Sequence, residues 1–330
     1  MGRTWLLVSG AIAAVGLANS PAAIAMDAAQ NYPSRPIRFI CPYNPGGAGD
    51  IFTRVVGQKM SEILGQPVVV DNRAGANGGI GTALVAKANP DGYTLVMGNS
   101  GPMTVNPNLY KNVPYDSAKD FTPISQGTVY WYVLVVPPST PVKSLDDMIG
   151  LLKAKPGQLT YGSTGIGGGN HLAGELFNLM TKTTAIHVPY TGSAPALAAL
   201  LGAQTTYMFD TVVTATPHVK GGKLRAIGQT ARKRAGSLPE VPTLDELGLQ
   251  GFEITQWQAV AGPAGIPKPI VGKLHKAVVQ ALNSPEVVER IGPKAGNDIV
   301  GNTPEEFAQV IRHDLEKYAK LVKEAKIEPR

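Results

Sequence analysis

The stretch Ile37-Arg38-Phe39-Ile40-Cys41-Pro42-Tyr43-Asn44-Pro45-Gly46-Gly47-Ala48-Gly49-Asp50 decides the fold. It opens as a short apolar strand, passes through a loop of Pro, Asn and Gly, and leads into residues 50–64, whose spacing predicts a helix closed by Gly65. Outward from it, Pro67-Val68-Val69-Val70 reads as the next strand, residues 79–88 as a helix, Asn89-Pro90-Asp91-Gly92 as a turn, and Tyr93-Thr94-Leu95-Val96-Met97 as a third strand. The order repeats after a strand over 129–136. A helix over 144–154 leads to Leu159-Thr160-Tyr161, a Gly-rich loop, a helix over 170–180 and the strand Ala185-Ile186-His187-Val188. Such alternation predicts an α/β protein of two similar lobes, each a parallel sheet covered on both faces.

Composition agrees. The 330 residues are 43 % hydrophobic and 16 % charged, which excludes a largely disordered chain. Its 38 Gly and 27 Pro show no period of three, so they belong to turns rather than a collagen-like rod. One cysteine excludes an intrachain disulfide framework and a four-cysteine zinc site, and Cys41 is expected to sit in its strand as a small apolar group. A net charge of +6 with 6 % aromatics gives no reason to expect nucleic acid as a partner.

Residues 1–25 carry Arg3, an apolar stretch from Trp5 to Leu17, and small residues ending in Ala23-Ile24-Ala25. That order is a secretory signal peptide with an A-x-A cleavage site, and its apolar core is short for a membrane span. Export, with a mature amino terminus near Met26 and a charge of +5, is the expectation. At the other end, Thr303-Pro304-Glu305-Glu306 reads as an N-cap, an N1 proline and two first-turn acids. Phe307, Val310, Ile311, Asp314, Tyr318 and Leu321 then form a stripe broken only by Asp314, so this helix docks on a lobe and its lysines form a solvated face.

Ligands of open parallel sheets bind beyond the carboxyl ends of the strands. Three Gly-rich loops stand there: residues 42–50, residues 74–81, and Gly162-Ser163-Thr164-Gly165-Ile166-Gly167-Gly168-Gly169-Asn170. Glycines admit close approach to backbone amides, and the helix that follows adds free N–H groups and a positive dipole end, so small anions are the natural guests. A Cβ at Gly47 or Gly167 is expected to obstruct that approach or strain a left-handed turn. Rival motifs fail. Gly165, Gly167 and Asn170 miss G-x-G-x-x-G at the last position, no G-K-[ST] occurs, the five histidines show no H-E-x-x-H, and Pro102 stands where a nucleophile elbow needs Gly. Binding is better supported than turnover.

The runs P-Y-N-P-G-G-A-G-D, D-N-R-A-G-A-N-G-G-I-G, N-P-D-G-Y-T-L, Y-G-S-T-G-I-G-G-G-N-H-L-A-G-E-L-F, H-V-P-Y-T-G-S-A-P-A-L-A-A-L-L-G and L-P-E-V-P-T appear in this order. Together they resemble the Bug family, the solute-binding proteins of tripartite tricarboxylate transporters. The resemblance implies a periplasmic binding protein type II fold, two doubly wound lobes joined by crossover strands near Trp131 and Thr255. One lobe would comprise residues 26–131 and 255–330, the other residues 132–254. It implies a monomer in the periplasm that closes on a small carboxylate (an aliphatic di- or tricarboxylate, an acidic amino acid or an aromatic carboxylate) and delivers it to integral membrane subunits. No cofactor is implied. Family binding positions carry over to Tyr43, Gly47, Asp50, Asn77, Gly78 and Ser100 on one side of the cleft. On the other they fall at Ser163, Thr164, Gly167, His171, Tyr190, Thr191, Gly192 and Asp210. This chain departs from the family in Gly49, where Thr or Ser is usual, in Asn77, where Gly is usual, and in Thr205-Thr206, where Val-Asp is frequent. The alternatives are a secreted hydrolase using Ser100 or Ser163 and a ligand sensor for a signalling receptor.

Overall fold

The computed structural model describes residues 30–324, so the leader expected at 1–25 lies outside the described residues. Strand β1 (Ile37–Cys41) is buried on both faces, with Phe39 and Cys41 in one core and Ile40 in another. Burial pushes the Cys41 thiol up to about 11, which suits an apolar role. Helix α1 (Ala48–Leu64) starts two residues earlier than the sequence suggests, because Gly47 and not Asp50 is the N-cap. Its buried stripe Phe52, Val55, Val56 and Met60 covers β1, each large side chain contributing about 1.5–3 kcal/mol on burial. Gly65 ends it in the left-handed conformation. Next come β2 (Val68–Asn72), a 3₁₀ turn (Ala76–Gly78), α2 (Gly79–Ala86), β3 (Thr94–Asn99), a π-helical turn (Gly101–Val105) and α3 (Asn106–Leu109).

Strand β4 (Phe121–Val136) is twice the length expected. Its first half contains Pro123 and Gly127, which disguise it in the sequence. The register against its neighbour slips at both places, and the slips admit residues that an ideal ladder excludes. The second half of the molecule follows: α4 (Leu145–Ala154), β5 (Thr160–Ser163), α5 (Gly169–Thr181), β6 (Ile186–Pro189), α6 (Ser193–Leu201), β7 (Tyr207–Thr211), α7 (Val212–Lys220) and β8 (Arg225–Gln229). Ser144 and Asp147 form a reciprocal capping box on α4. The chain returns through β9 (Thr255–Pro263) and finishes with α8 (Lys268–Leu282), α9 (Pro285–Ile291), β10 (Asn297–Ile299) and α10 (Pro304–Glu324).

The strand order is β2-β1-β3-β9-β4-β7-β5-β6, with β8 and β10 also on β4. The pairs β1–β2, β1–β3, β5–β6 and β5–β7 are parallel, as expected. The centre corrects the all-parallel expectation, since β9 lies antiparallel between β3 and β4, and β4 runs antiparallel to β7 and β8. The physical reason is the course of β4, which pairs with β9 through Trp131 and with β7 from Tyr132 onward, so one strand serves both halves.

Helix α10 spans the same junction. Thr303 and Glu306 cap it reciprocally. Phe307 and Ile311 enter the core that holds Val96 and Trp257, whereas Tyr318 and Val322 enter the one that holds Tyr161, Phe177 and Phe209. Asp314, the break in the stripe, accepts the Trp257 indole N–H at 2.8 Å.

Candidate ligand-binding cleft

Each cleft loop is fixed from behind. In the first, Asp50 accepts the Gly46 N–H at 3.0 Å, the Arg54 guanidinium at 2.9 Å and the Asn72 amide at 2.9 Å. Burial acts to raise its pKa, but these three donors outweigh it and hold the carboxyl below the usual range. Tyr43 donates to Asn99 Oδ1 at 3.1 Å, and Asn99 in turn donates to Tyr130 and to the Trp257 carbonyl. In the third loop, Asn170 Oδ1 accepts from the Thr164 N–H and hydroxyl, while His171 Nδ1 accepts from the Gly167 N–H. Ser163 Oγ meets His187 Nε2 and both backbone groups of Gly165.

These loops enclose two adjoining chambers. The inner one, about 30 Å³, is lined by Tyr43, Asn77, Tyr130, Tyr132, Gln256 and Gln258 and by backbone at Gly47–Gly49 and Gly168–Gly169. The outer one, about 200 Å³, is bounded by Tyr43, Asn77, Tyr110, Ile166, Tyr190 and Thr191. Three helices start at the inner chamber: α1 at Ala48, α5 at Gly169 and α6 at Ser193. Their first-turn amides have no backbone acceptor within the helix, Asn170 Oδ1 taking only the His171 N–H, and their dipoles add positive potential. Among the described residues no Asp, Glu, Lys, Arg or His lines either chamber. Burial raises the pKa of Tyr43, Tyr130 and Tyr132, so each phenol keeps its proton. The arrangement can receive a small anion on neutral donors.

The halves meet over the cleft. Asn44 donates to the Thr191 carbonyl at 2.8 Å and its hydroxyl at 3.0 Å, and Tyr110 donates to the Ile166 carbonyl at 2.9 Å. A Cβ at Gly169 would collide with the Tyr132 hydroxyl and the Gln256 amide, so a side chain there would displace two residues that line the inner chamber. Gly167 has φ +82 and a Cβ there would lie 2.9 Å from Leu109, as expected of a left-handed turn at a tight contact. Gly47 differs, with φ −88 and the Ser193 Cβ at 3.4 Å, so close approach alone applies there.

Of the residues selected from sequence, Tyr43, Gly47, Asn77 and Thr164 line the inner chamber and Gly78, Tyr190 and Thr191 the outer one. Gly192 is the N-cap of α6 beside Ser193. Asp50, Ser100, Ser163, Gly167, His171 and Asp210 lie behind the walls. Ser100 is fully buried and accepts the Trp257 N–H at 3.2 Å. Ser163 is also fully buried, so neither serine presents a nucleophile to the cleft. Asp210 connects to it indirectly. Its Oδ2 accepts from Thr214 at 2.8 Å, and Thr214 Oγ1 lies 2.6 Å from that of Thr211, which lines the inner chamber. Burial raises the Asp210 carboxyl to about 7, only partly offset by Thr214 and the Thr211 N–H. Sequence reasoning missed Asn99, Tyr130, Tyr132, Thr211, Ser193, Gln256 and Gln258. Their signal was available in Tyr130 and Tyr132, whose phenols recur at a spacing of two within an apolar strand.

Two α/β halves closing loops and helix N-termini over a shared cleft define a periplasmic-binding-protein architecture. The family model for the tripartite tricarboxylate transporter family receptor matches residues 52–327, and the chain belongs to that family. It is 36 % identical to protein BugT of Bordetella pertussis over 315 residues, 95 % of this chain and 96 % of that one. Among solved structures it resembles the periplasmic binding protein BugD, with a TM-score of 0.87, 33 % identity, and coverage of 91 % of this chain and 100 % of that one. It also resembles Rpa4515 of R. palustris with adipate, at TM-score 0.88, 33 % identity and coverage of 91 % and 100 %. MatC of Rhodopseudomonas palustris with bound malate matches at TM-score 0.84, 32 % identity and coverage of 88 % and 100 %. Among the described residues no helix is long and apolar enough to cross a membrane.

Proposed function

We propose that this chain is a periplasmic receptor that captures a small carboxylate between its halves and delivers it unchanged to the membrane subunits of a tripartite transporter. Residues 26–131 and 255–330 form one lobe in this reading, and residues 132–254 the other. The observation that carries it is the convergence of three helix N-termini on one chamber without a charged side chain. Charge-assisted hydrogen bonds of about 1.5–3 kcal/mol each, with about 0.3–1 kcal/mol from each dipole, suffice for the roughly 8 kcal/mol of micromolar binding after ordering costs. The adipate and malate bound by relatives support the ligand class. Tyr43, Gly47, Asn77, Gly78, Thr164, Tyr190 and Thr191 contact the ligand in this reading. Asp50, Ser100, Ser163, Gly167, His171, Gly192 and Asp210 hold those contacts in place.

The test is a thermal-shift screen of aliphatic and aromatic mono-, di- and tricarboxylates, each beside its primary amide. A ligand of the native state raises Tm, so at least one acid should do so while its amide does not. Equal shifts from acid and amide, or none from any acid, would overturn the carboxylate reading.

A further inference from the structure

Asn44 ties the two halves together without facing the space between them. It stands half-buried in the loop between β1 and α1 and borders neither chamber, although its neighbour Tyr43 lines both. Its Nδ2 carries two hydrogens, and each has an acceptor on Thr191, the carbonyl at 2.8 Å and the hydroxyl at 3.0 Å. A carbonyl can only accept, so it fixes which end of the Asn44 amide faces the opposite half.

What Asn44 grips is the start of α6. Thr191 is followed by Gly192, the N-cap, and by Ser193, the first residue of the helix and part of the inner chamber wall. The two halves stay in contact along this segment. A Cβ built at Gly46 would lie 3.8 Å from that of Ala194, one at Gly47 3.4 Å from that of Ser193, and one at Gly192 3.8 Å from that of Asn44. These are van der Waals separations, and Asn44 adds two directed bonds to them. The other bridge over the cleft, from Tyr110 to the Ile166 carbonyl, differs because both of its residues line the outer chamber, where a ligand would touch them.

We propose that Asn44 is a positioning residue for capture. By tying the start of α6 to the first loop it holds that helix's free amides over the inner chamber, and so fixes how long the closed cleft keeps an acid without helping to choose which acid. This deepens the carboxylate reading and rests on it. The bonds to Thr191 exist only while the halves meet, so they stabilise the closed arrangement alone, and observed affinity scales with the share of molecules in that arrangement. Every acid feels their loss by the same factor. Release requires the halves to part, so the loss falls on dissociation rather than association.

The experiment compares the full mature chain with Asn44→Ala and Asn44→Leu, the second of which keeps the side chain's bulk and removes its donor. Succinate, malate, glutarate, adipate and benzoate are titrated by calorimetry, and line broadening in the proton NMR spectrum of each acid gives its dissociation rate. Both variants should bind every acid that the parent binds about five- to tenfold more weakly, with dissociation faster by the same factor and the order of preference kept. Parental affinity in either variant, when it melts as a native protein, overturns the proposal and leaves the carboxylate reading standing. So does a loss that differs by more than about threefold between acids, because Asn44 would then touch the bound molecule. Slower association with unaltered dissociation overturns it as well. If no acid binds the parent, both readings fall. Should neither variant melt natively, Thr191→Val removes the hydroxyl acceptor at 3.0 Å and keeps the shape of the side chain. Every acid should then bind about two- to threefold more weakly, and unchanged affinity would overturn the proposal.

Discussion

Asp50, in the first turn of α1, and Asp210, near the end of β7, are both acids with little solvent exposure in the two halves of the molecule. Their chemistry is opposite. Asp50 collects an amide N–H, a guanidinium and a side-chain amide and is held ionised, whereas Asp210 has one hydroxyl and one backbone N–H and is pushed up to about 7. Asp50 lies closer to solvent beside a half-exposed guanidinium and Asp210 lies deeper, so depth of burial and the donor set together decide whether each carboxyl carries charge. The contrast separates two uses of one residue type. Asp50 holds a loop in shape, and Asp210 stands at the end of a hydroxyl chain leading to the cleft.

Asp50→Ala should have the largest effect. It removes the acceptor of the Gly46 N–H, the partner of the Arg54 guanidinium and one of the two acceptors of the Asn72 amide, and a loss of about 2–4 kcal/mol is expected in urea unfolding, together with weakened binding because the loop that starts α1 relaxes. Unchanged stability would erase the contrast. Asp210→Asn should act with the opposite sign. A carboxyl raised in the folded state favours folding below its unfolded pKa near 3.9 and loses that contribution as pH climbs toward about 7. The variant should therefore match the parent near pH 4 and exceed it at pH 8 by about 1–3 kcal/mol, read as Tm against pH. A parent whose Tm profile is unaltered by the substitution would show that Asp210 is ionised throughout. The smallest effect belongs to Thr214→Val, which keeps the packing volume and breaks the chain from Asp210 to Thr211. Affinity for the best carboxylate should fall about three- to tenfold, with a stability loss of about 1–2 kcal/mol from the orphaned Asp210 oxygen, and unchanged affinity in the folded variant would disconnect Asp210 from the cleft.

The residues that could be read in sequence are those whose local chemistry is self-sufficient. The strand at 37–41, the N-cap at Thr303 and the Gly-rich loops carry their own signals within a few positions. The first half of β4 was hidden because Pro123 and Gly127 are tolerated only through register slips against a strand over a hundred residues away in sequence. The inner wall was hidden for a related reason. Tyr130, Tyr132, Gln256 and Gln258 meet because β4 and β9 pair, and no window of sequence contains both. Asp50 and Asp210 are alike in sequence as binding positions implied by the resemblance, since the donors that distinguish them come from Asn72 in one case and from Thr214 in the other.

The placement of β9 has a consequence for how the molecule is made. Val96 pairs with Ala261, and α10 supplies Phe307 and Ile311 to the core beneath that pairing. The half that begins at the amino terminus therefore remains an unfinished sheet until nearly the whole chain is present, whereas β5, β6 and β7 find one another within a short span. Loop closure over such a separation is slow, so the middle of the chain is positioned to fold first and the two ends to assemble around it afterwards. Under the periplasmic reading proposed above, that order would suit passage across a membrane as an extended chain, because the leading segment has nothing to fold against until the trailing segment has followed it.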